Sequence, residues 1–149
     1  MAGVVFKSET HVLMGYKPHD GVITGIGGKP IGDEIPIRTA FREAVEEIFG
    51  FQPSSWLIDA LIVHFSTRGM VENKGYKMYV LSLDDLLTFM GIAQTFNIAS
   101  PFYSTFPRTL HDLILSRRAP NNVEIVSLAL IPMSIDHFHV DQRDMAIIM

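Results

Sequence analysis

The fold is decided by residues 28–50, which read GKPIGDEIPIRTAFREAVEEIFG. Apolar side chains recur in this stretch at spacings of three and four, at Ile37, Ala40, Phe41, Ala44, Val45 and Ile48. The spacing predicts an amphipathic helix from Pro36 to Phe49, because these positions form one face of a helix with 3.6 residues per turn. Proline suits the first turn of a helix, and Gly50 suits its C-terminal stop. We therefore expect a helix whose apolar face packs on a sheet.

The polar face of this helix carries a group of glutamates. Glu43, Glu46 and Glu47 stand at positions i, i+3 and i+4, so they project within an arc of roughly 100°. Like charges at this spacing repel one another and destabilise an isolated helix. Two interpretations follow: a cation neutralises the three carboxylates, or they form a solvated acidic face. Oxygen donors without Cys or His favour a hard cation, Mg²⁺ first and Mn²⁺ second.

The spacing of charged residues in this stretch resembles the Nudix box, the signature of the Nudix hydrolases. The box runs glycine, five residues, glutamate, seven residues, then Arg-Glu-aliphatic-x-Glu-Glu-x-Gly-aliphatic. Gly28, Glu34 and the run from Arg42 to Glu47 fall in this register. The closing glycine and apolar residue, Gly50 and Phe51, come one position late, and the aliphatic slot holds a small alanine. We expect these departures to lengthen the helix end and to leave the acidic face intact.

The flanking sequence also resembles the family. Residues 22–29 give a strand that ends in Gly-Gly-Lys, and residues 123–132 give a late strand that opens with an acidic residue and ends at a proline. Residues 1–83 and 120–149 fit the family, whereas residues 84–119 look like a helical insertion. The resemblance implies an α/β fold, a Nudix-type α/β/α sandwich around a mixed β-sheet, formed by one domain over residues 1–149.

The resemblance further implies Mg²⁺-dependent cleavage of a nucleoside diphosphate linked to another group X. Glu43, Glu46 and Glu47 would hold Mg²⁺ or Mn²⁺, with the carbonyl of Gly27 as a further ligand. One of these glutamates, or a loop carboxylate, would deprotonate the attacking water. The expected substrate is a small nucleotide such as ADP-ribose, a dinucleoside polyphosphate, FAD or an NTP, with capped RNA as an alternative. A second hypothesis is a catalytically silent Nudix-fold module that binds a nucleotide or a protein.

The remaining box residues have supporting roles in this interpretation. A salt bridge between Arg42 and Glu34 would fix the catalytic helix against the preceding loop, with Gly28 as a structural position, and Lys29 would contact phosphate. Glu124 is the candidate for a fourth acidic ligand, since it opens the late strand, and Glu72 is the fallback. A plain surface residue explains Glu124 equally well.

The rest of the chain gives a coarser prediction of secondary structure. Strands are predicted over residues 4–6, 12–16, 22–24, 56–65, 76–83 and 123–131, the first two as a hairpin. A glycine-rich loop is predicted over 25–28 and a polar loop over 66–75. Further helices are predicted over 84–96, 108–118 and 135–149, with Asp84 and Asp85 as the acidic start of the first.

Three further groups of side chains have both a structural and a functional interpretation. Aromatic residues either pack in the core or stack on a nucleobase; they are Tyr76, Tyr79, Phe102, Tyr103 and Phe106. Arginines either form a solvated helix face or contact phosphate or RNA; they are Arg108, Arg117 and Arg118. His137 and His139 lack a third ligand, so surface histidines are favoured over a metal pair.

Composition excludes several classes of protein. The chain has 149 residues, 48% of them apolar and 19% charged, with a formal net charge of −4. A disordered chain or a basic nucleic-acid-binding surface would have a different balance. There is no cysteine for a thiolate metal site, no apolar run long enough for a membrane span, and no signal-peptide pattern, which predicts a cytoplasmic protein. The positive mean hydropathy, +0.24, predicts a homodimer.

Overall fold

The computed structural model describes residues 1–96 and 99–133, which contain seven strands and four helices. The strands, in chain order, are β1 (Ala2–Lys7), β2 (His11–Lys17), β3 (Val22–Thr24), β4 (Ile26–Gly28), β5 (Met70–Asn73), β6 (Tyr76–Ser82) and β7 (Ser127–Pro132). The helices are α1 (Pro36–Phe49), α2 (Ser55–Phe65), α3 (Leu83–Phe96) and α4 (Leu110–Leu115).

The strands form one mixed sheet, as predicted. Its strand order is β3-β2-β1-β6-β5, with β4 paired to β1 and β7 paired to β2. β1 and β6 run parallel, from Ala2 beside Lys77 to Lys7 beside Ser82, and the other pairs are antiparallel. The predicted hairpin of β1 and β2 is confirmed. The central strand β1 is therefore bordered by β6 on one side and by β4 and β2 on the other.

The helices pack on one face of the sheet. Alternate residues of β1 (Ala2, Val4 and Phe6) join a core cluster to which all four helices contribute buried side chains. Within it, the rings of Phe6 and Phe89 meet edge to face at 5.3 Å between centroids. A smaller cluster, which includes Val5, covers the opposite face. The described residues thus form an α/β sandwich with one helical layer, and the helix predicted over 135–149 lies outside them.

Helix α1 has the bounds that its apolar spacing predicts. It starts with proline in its first turn and ends at Gly50, which adopts a left-handed conformation with φ 78° and donates its N–H to Glu46 O at 2.9 Å. A residue with a Cβ is strained at this φ, which explains why glycine closes the helix. The extra residue before Gly50 is accommodated by continuing the helix to Phe49.

The strand predicted over 56–65 is wrong, because these residues form α2. Ser54 begins the helix by accepting a hydrogen bond from the Leu57 N–H at 3.1 Å. The run is apolar except for Asp59 and His64, and such a short, mostly apolar run has no clear periodicity that separates a buried strand from a helix. One side of α2 is buried, while Trp56 and Val63 are 77% and 80% exposed. The following polar segment, predicted as a loop, contains the edge strand β5.

The insertion is less helical than predicted. α3 begins at Leu83, one residue early, and its acidic start is confirmed: Asp85 N donates to Ser82 Oγ at 2.9 Å and Ser82 N donates to Asp85 Oδ2 at 3.0 Å. The second predicted helix shortens to α4, six residues long. Two further predictions are wrong in part. The last strand, β7, starts at Ser127 and not at residue 123, and the segment predicted as a glycine-rich loop contains the strand β4.

Candidate functional site

A cavity of about 340 Å³ lies where β4, α1 and the segment before β7 meet. Its walls combine carboxylates, lysines and glycine backbone, from Glu43, Glu47, Glu124, Lys17, Lys29, Gly27 and Gly28. These seven include six of the residues that the sequence singles out as a site. Of the predicted metal ligands only Glu46 lies outside this cavity, and it lines a neighbouring cavity of about 250 Å³ with Glu43 and Glu47. The fold therefore brings the predicted box residues and Glu124 together.

The two glycines of β4 allow the helix to approach the strand closely. A Cβ on Gly28 would stand 2.4 Å from the carboxyl carbon of Glu43, and a Cβ on Gly27 would stand 2.6 Å from Tyr76 Oη. Any larger residue would force the neighbouring atoms to move, because real Cβ contacts are not this short. The Gly27 backbone also donates a hydrogen bond to Glu47. Close backbone approach is the reason for glycine at both positions.

Glu47 is the most unusual carboxylate of the site. Its Oε2 atom is excluded from solvent and has no hydrogen-bond partner among the described residues. Burial raises the pKa of Glu47 well above its usual value of 4.5, and the negative charges of Glu124 and Glu43 raise it further. The Gly27 hydrogen bond and the charge of Lys17 act in the opposite direction but do not cancel these effects. An ionised Glu47 therefore lacks the partners that a buried charge needs.

Arg42 connects α1 to the loop that precedes it. Its Nε atom donates to Glu34 Oε2 at 2.9 Å, so the predicted salt bridge is present, and its Nη2 atom donates to Lys29 O at 2.9 Å. The hydrogen bond to Arg42 is the main cause that lowers the pKa of Glu34 to about 2. Together these bonds attach the loop at residues 29–34 to α1.

The same guanidinium also reaches two of the helix carboxylates. Arg42 Nη1 lies 3.0 Å from Glu43 Oε1 and 3.0 Å from Glu46 Oε2. Burial is the largest influence on Glu46 and raises its pKa, although the positive charge of Arg42 opposes the shift. Part of the repulsion expected between these glutamates is thus relieved by an arginine on their own helix.

Glu124 enters the cavity from the opposite wall. It lies three residues before β7, not within the strand as predicted. Its Oε1 atom forms an ion pair with Lys17 Nζ at 2.7 Å. Burial alone lowers the pKa of Lys17, but the hydrogen bond to Glu124 and the charges of Glu124, Glu47 and Asp20 outweigh it, so the pKa is raised. The sequence does not identify Lys17 as a site residue. Its one distinguishing feature is its position at the end of β2, which pairs with β1, the strand that also pairs with the glycines of β4.

Glu72, the fallback for Glu124, does not take part in this cavity. It lies on β5 opposite Lys77 and is exposed. Among residues 1–96 and 99–133, no group of three or more His, Cys, Asp or Glu side chains is drawn together closely enough to define a metal centre. Four of the five predicted ligands thus share one cavity, and the described residues form no closed coordination sphere there. His137 and His139 lie outside the described residues.

Most of the aromatic residues, and one of the arginines, that the sequence singles out are buried in the protein. Core packing is confirmed for Tyr76, Phe102, Tyr103 and Phe106, which are buried, although Tyr76 and Phe102 also border the two cavities. A solvated helix face is wrong for Arg117, which is only 7% exposed, whereas Arg108 and Arg118 are exposed. The buried arginine, like Lys17, was not identified as part of the site's surroundings from the sequence.

Comparison with known proteins gives no family assignment for this chain. No family model matches the chain, and no curated protein matches it. The case for a Nudix-type site consequently depends on residues 28–50 and on the geometry that surrounds them.

Proposed function

We propose that this protein is a Mg²⁺-dependent Nudix pyrophosphohydrolase that cleaves a nucleoside diphosphate linked to another group. One observation carries the proposal: the box carboxylates Glu43 and Glu47 share a single cavity with Glu124 and with two lysines that can face phosphate. The Nudix-type arrangement of the sandwich, with a second helical layer, is part of the same proposal.

The residues present suit a hard divalent cation. Glu47 supplies a solvent-excluded carboxylate oxygen without a partner, which is costly unless a cation binds there. Glu43 and Glu47 would hold Mg²⁺ or Mn²⁺, with Glu124, Glu46 and the Gly27 carbonyl as further oxygen donors. When bound, the cation would neutralise phosphate charge and lower the pKa of the attacking water. Arg42 pairs with Glu43 and Glu46, and Lys17 pairs with Glu124.

The surrounding residues would orient the substrate and the carboxylates. Lys17 and Lys29 line the cavity on the side of β2 and β4, where they can contact phosphate oxygens. Arg42 would keep Glu43 and Glu46 in place through its hydrogen bonds while it holds the 29–34 loop through Glu34. The base that removes the water proton stays open among the carboxylates of the cavity.

A small nucleotide is the favoured substrate class. The arginine strip that would support capped RNA is interrupted, because Arg117 is buried and unavailable for contact with a polymer. Among the described helices, none is both long and apolar enough to cross a membrane. Because of the buried Arg117, a small nucleotide such as ADP-ribose, a dinucleoside polyphosphate, FAD or an NTP remains the first choice, with a homodimer as a further prediction.

A second candidate, a catalytically silent binding module, also has an observation in its favour. Glu43 and Glu46 are both engaged by the Arg42 guanidinium, at 3.0 Å each. Such a module would bind a nucleotide through Lys17 and Lys29 and release it unchanged.

The experiment that separates these functions is a substrate panel with Mg²⁺. We expect the wild-type protein to hydrolyse at least one member of a panel of ADP-ribose, dinucleoside polyphosphates, FAD, NTPs and capped RNA. Glu47→Gln should lose about 100-fold or more of that activity. Glu72→Gln, an exposed glutamate outside the cavity, is the matched control and should retain it. Binding of a nucleotide that stays intact during long incubation would favour the silent module instead.

A further inference from the structure

The C-terminal end of α1 is held by side chains from the insertion. The last four backbone carbonyls of a helix have no partner within the helix and must be satisfied elsewhere. In α1, Glu46 O accepts from the Gly50 N–H at 2.9 Å, and Phe49 O accepts from Ser100 Oγ. The two carbonyls between them both accept from Arg117, Ile48 O at 2.5 Å and Glu47 O at 2.7 Å.

Arg117 binds a second element with the same guanidinium. Its Nη2 atom donates to Ile125 O at 2.9 Å, and its Nε atom donates to Val126 O at 3.2 Å. These two carbonyls directly follow Glu124 in the chain. One side chain therefore connects the helix turn that carries Glu47 to the segment that carries Glu124.

The guanidinium is itself fixed from two sides. Its central carbon lies 4.7 Å from the centroid of the Phe102 ring, which also packs against Gly50. The Tyr103 hydroxyl hydrogen-bonds to the guanidinium and donates to Leu113 O at 2.5 Å. A planar, always charged group with several fixed donors can bridge two elements in this way, whereas a lysine ammonium cannot reproduce the geometry.

We propose that Arg117 is a positioning residue that sets the spacing between Glu47 and Glu124 across the cation-binding cavity. This inference rests on the proposed function, since it assigns the two carboxylates to one divalent cation. Arg117 does not line the cavity, and it acts through the backbone of residues 47–48 and 125–126. A merely structural arginine would affect folding stability without a separate effect on cation binding.

The test is Mn²⁺ binding to the substrate-free protein, measured by electron paramagnetic resonance and by titration calorimetry. We expect Arg117→Lys to weaken Mn²⁺ binding at least about tenfold, the usual scale for a residue that orients metal ligands. Tyr103→Phe, which removes only the hydroxyl behind the guanidinium, should weaken binding in the same direction but less. Thermal unfolding of each variant records the accompanying loss of stability.

Ser100→Ala is the matched control. It removes the bond to Phe49 O and the bond from the Phe102 N–H but none to residues 124–126, and it leaves the four bonds of Arg117 in place, so it should lower the melting temperature while Mn²⁺ affinity stays within about twofold. Equal Mn²⁺ affinity in wild type and Arg117→Lys, or an equal loss in Ser100→Ala, would overturn the positioning role and leave the proposed function standing. If Arg117→Lys does not fold, unchanged affinity in Tyr103→Phe overturns it. A wild-type protein that neither binds Mn²⁺ nor hydrolyses any nucleotide overturns the proposed function, and this inference with it.

Discussion

Arg42 and Glu34 are joined by an ion pair of 2.9 Å between Nε and Oε2, and both side chains are largely buried, with 7% and 14% of their surfaces exposed. The pair attaches the loop before α1 to the helix that carries Glu43 and Glu47. Because the pair is largely buried and the pKa of Glu34 is lowered, its contribution to the free energy of unfolding depends on pH.

We expect Glu34→Gln to destabilise the protein by about 2 kcal/mol at pH 7. The pKa of Glu34 is lowered from its usual value of 4.5 to about 2, mainly by the hydrogen bond to Arg42. Ionised Glu34 therefore stabilises the fold above about pH 4.5, and this contribution disappears as the pH falls towards 2. Urea unfolding at pH 7 and pH 2.5 should show a difference between wild type and variant that shrinks at the lower pH. An equal difference in unfolding free energy at pH 7 and pH 2.5 would contradict a lowered pKa of Glu34.

Glu47→Gln should stabilise the metal-free protein although it removes activity. The pKa of Glu47 is raised, so the protonated form fits the folded state and stability is lost as the pH rises through the folded pKa. An amide avoids this cost, and we expect a gain of about 1 kcal/mol at pH 8 in EDTA. Melting curves with and without Mg²⁺ provide the measurement. The variant should melt higher than wild type in EDTA and show no increase on addition of Mg²⁺. A lower melting point in EDTA would show that the ionised carboxylate is well accommodated.

Glu124→Gln separates a ligand from a surface residue. Its ion pair with Lys17 is exposed, with 58% of the Glu124 side chain accessible, so stability should change by less than about 1 kcal/mol. Activity should nevertheless fall at least about tenfold with a weaker dependence on Mg²⁺, if Glu124 belongs to the cation site. Steady-state kinetics across a Mg²⁺ titration, with Glu72→Gln in parallel, test this. Unchanged kinetics in Glu124→Gln would make it a surface residue.

Gly28→Ala should displace the Glu43 carboxylate. The added methyl would stand 2.4 Å from the carboxyl carbon of Glu43, and a flexible side chain is the group that can move away. We expect a loss of Mn²⁺ affinity of at least about tenfold. Gly91→Ala is the comparison, because an added Cβ there meets nothing within 4 Å and the residue lies in α3. That variant should keep wild-type affinity and gain about 0.5–1 kcal/mol in stability. Equal affinities in both variants would argue against Glu43 as a ligand.

The homodimer remains testable without reference to a particular interface. The chain has a positive mean hydropathy, +0.24, and exposes large apolar side chains, among them Trp56 and Val63. Light scattering at micromolar concentration should give twice the chain mass, and the monomer mass of 16.7 kDa would rule out a tight dimer.

Prediction from the sequence succeeded where periodicity and charge spacing coincided. Helix α1 was predicted with its observed bounds because its buried positions recur every three or four residues and its ends carry proline and glycine. The Arg42–Glu34 pair, which the structure contains, is implied by the resemblance to the Nudix box. In contrast, the sequence predicts a strand where α2 forms, because a short run that is apolar except for Asp59 and His64 gives little contrast between two helix faces.

The parts of the site that were missed come from contacts distant in sequence. Arg117 follows a short helix and precedes another arginine, a pattern typical of a solvated face, yet it is buried against carbonyls of residues 47 and 48. Lys17 belongs to the site because β2 and β4 are both neighbours of β1, an arrangement that no local spacing encodes. The family resemblance identifies Glu124, but the strand predicted from residue 123 begins four residues later, at Ser127.

The parallel pairing of β1 with β6 has a consequence for how the protein folds. Ala2 pairs beside Lys77, so β1 lacks this neighbour until β6 has left the ribosome. Pairing over such a separation raises the contact order and slows the search for the native state. The carboxylate from the segment before β7 arrives later still. Helix α1 can therefore form early from local interactions, whereas the cavity is completed only after the segment before β7 has been synthesised.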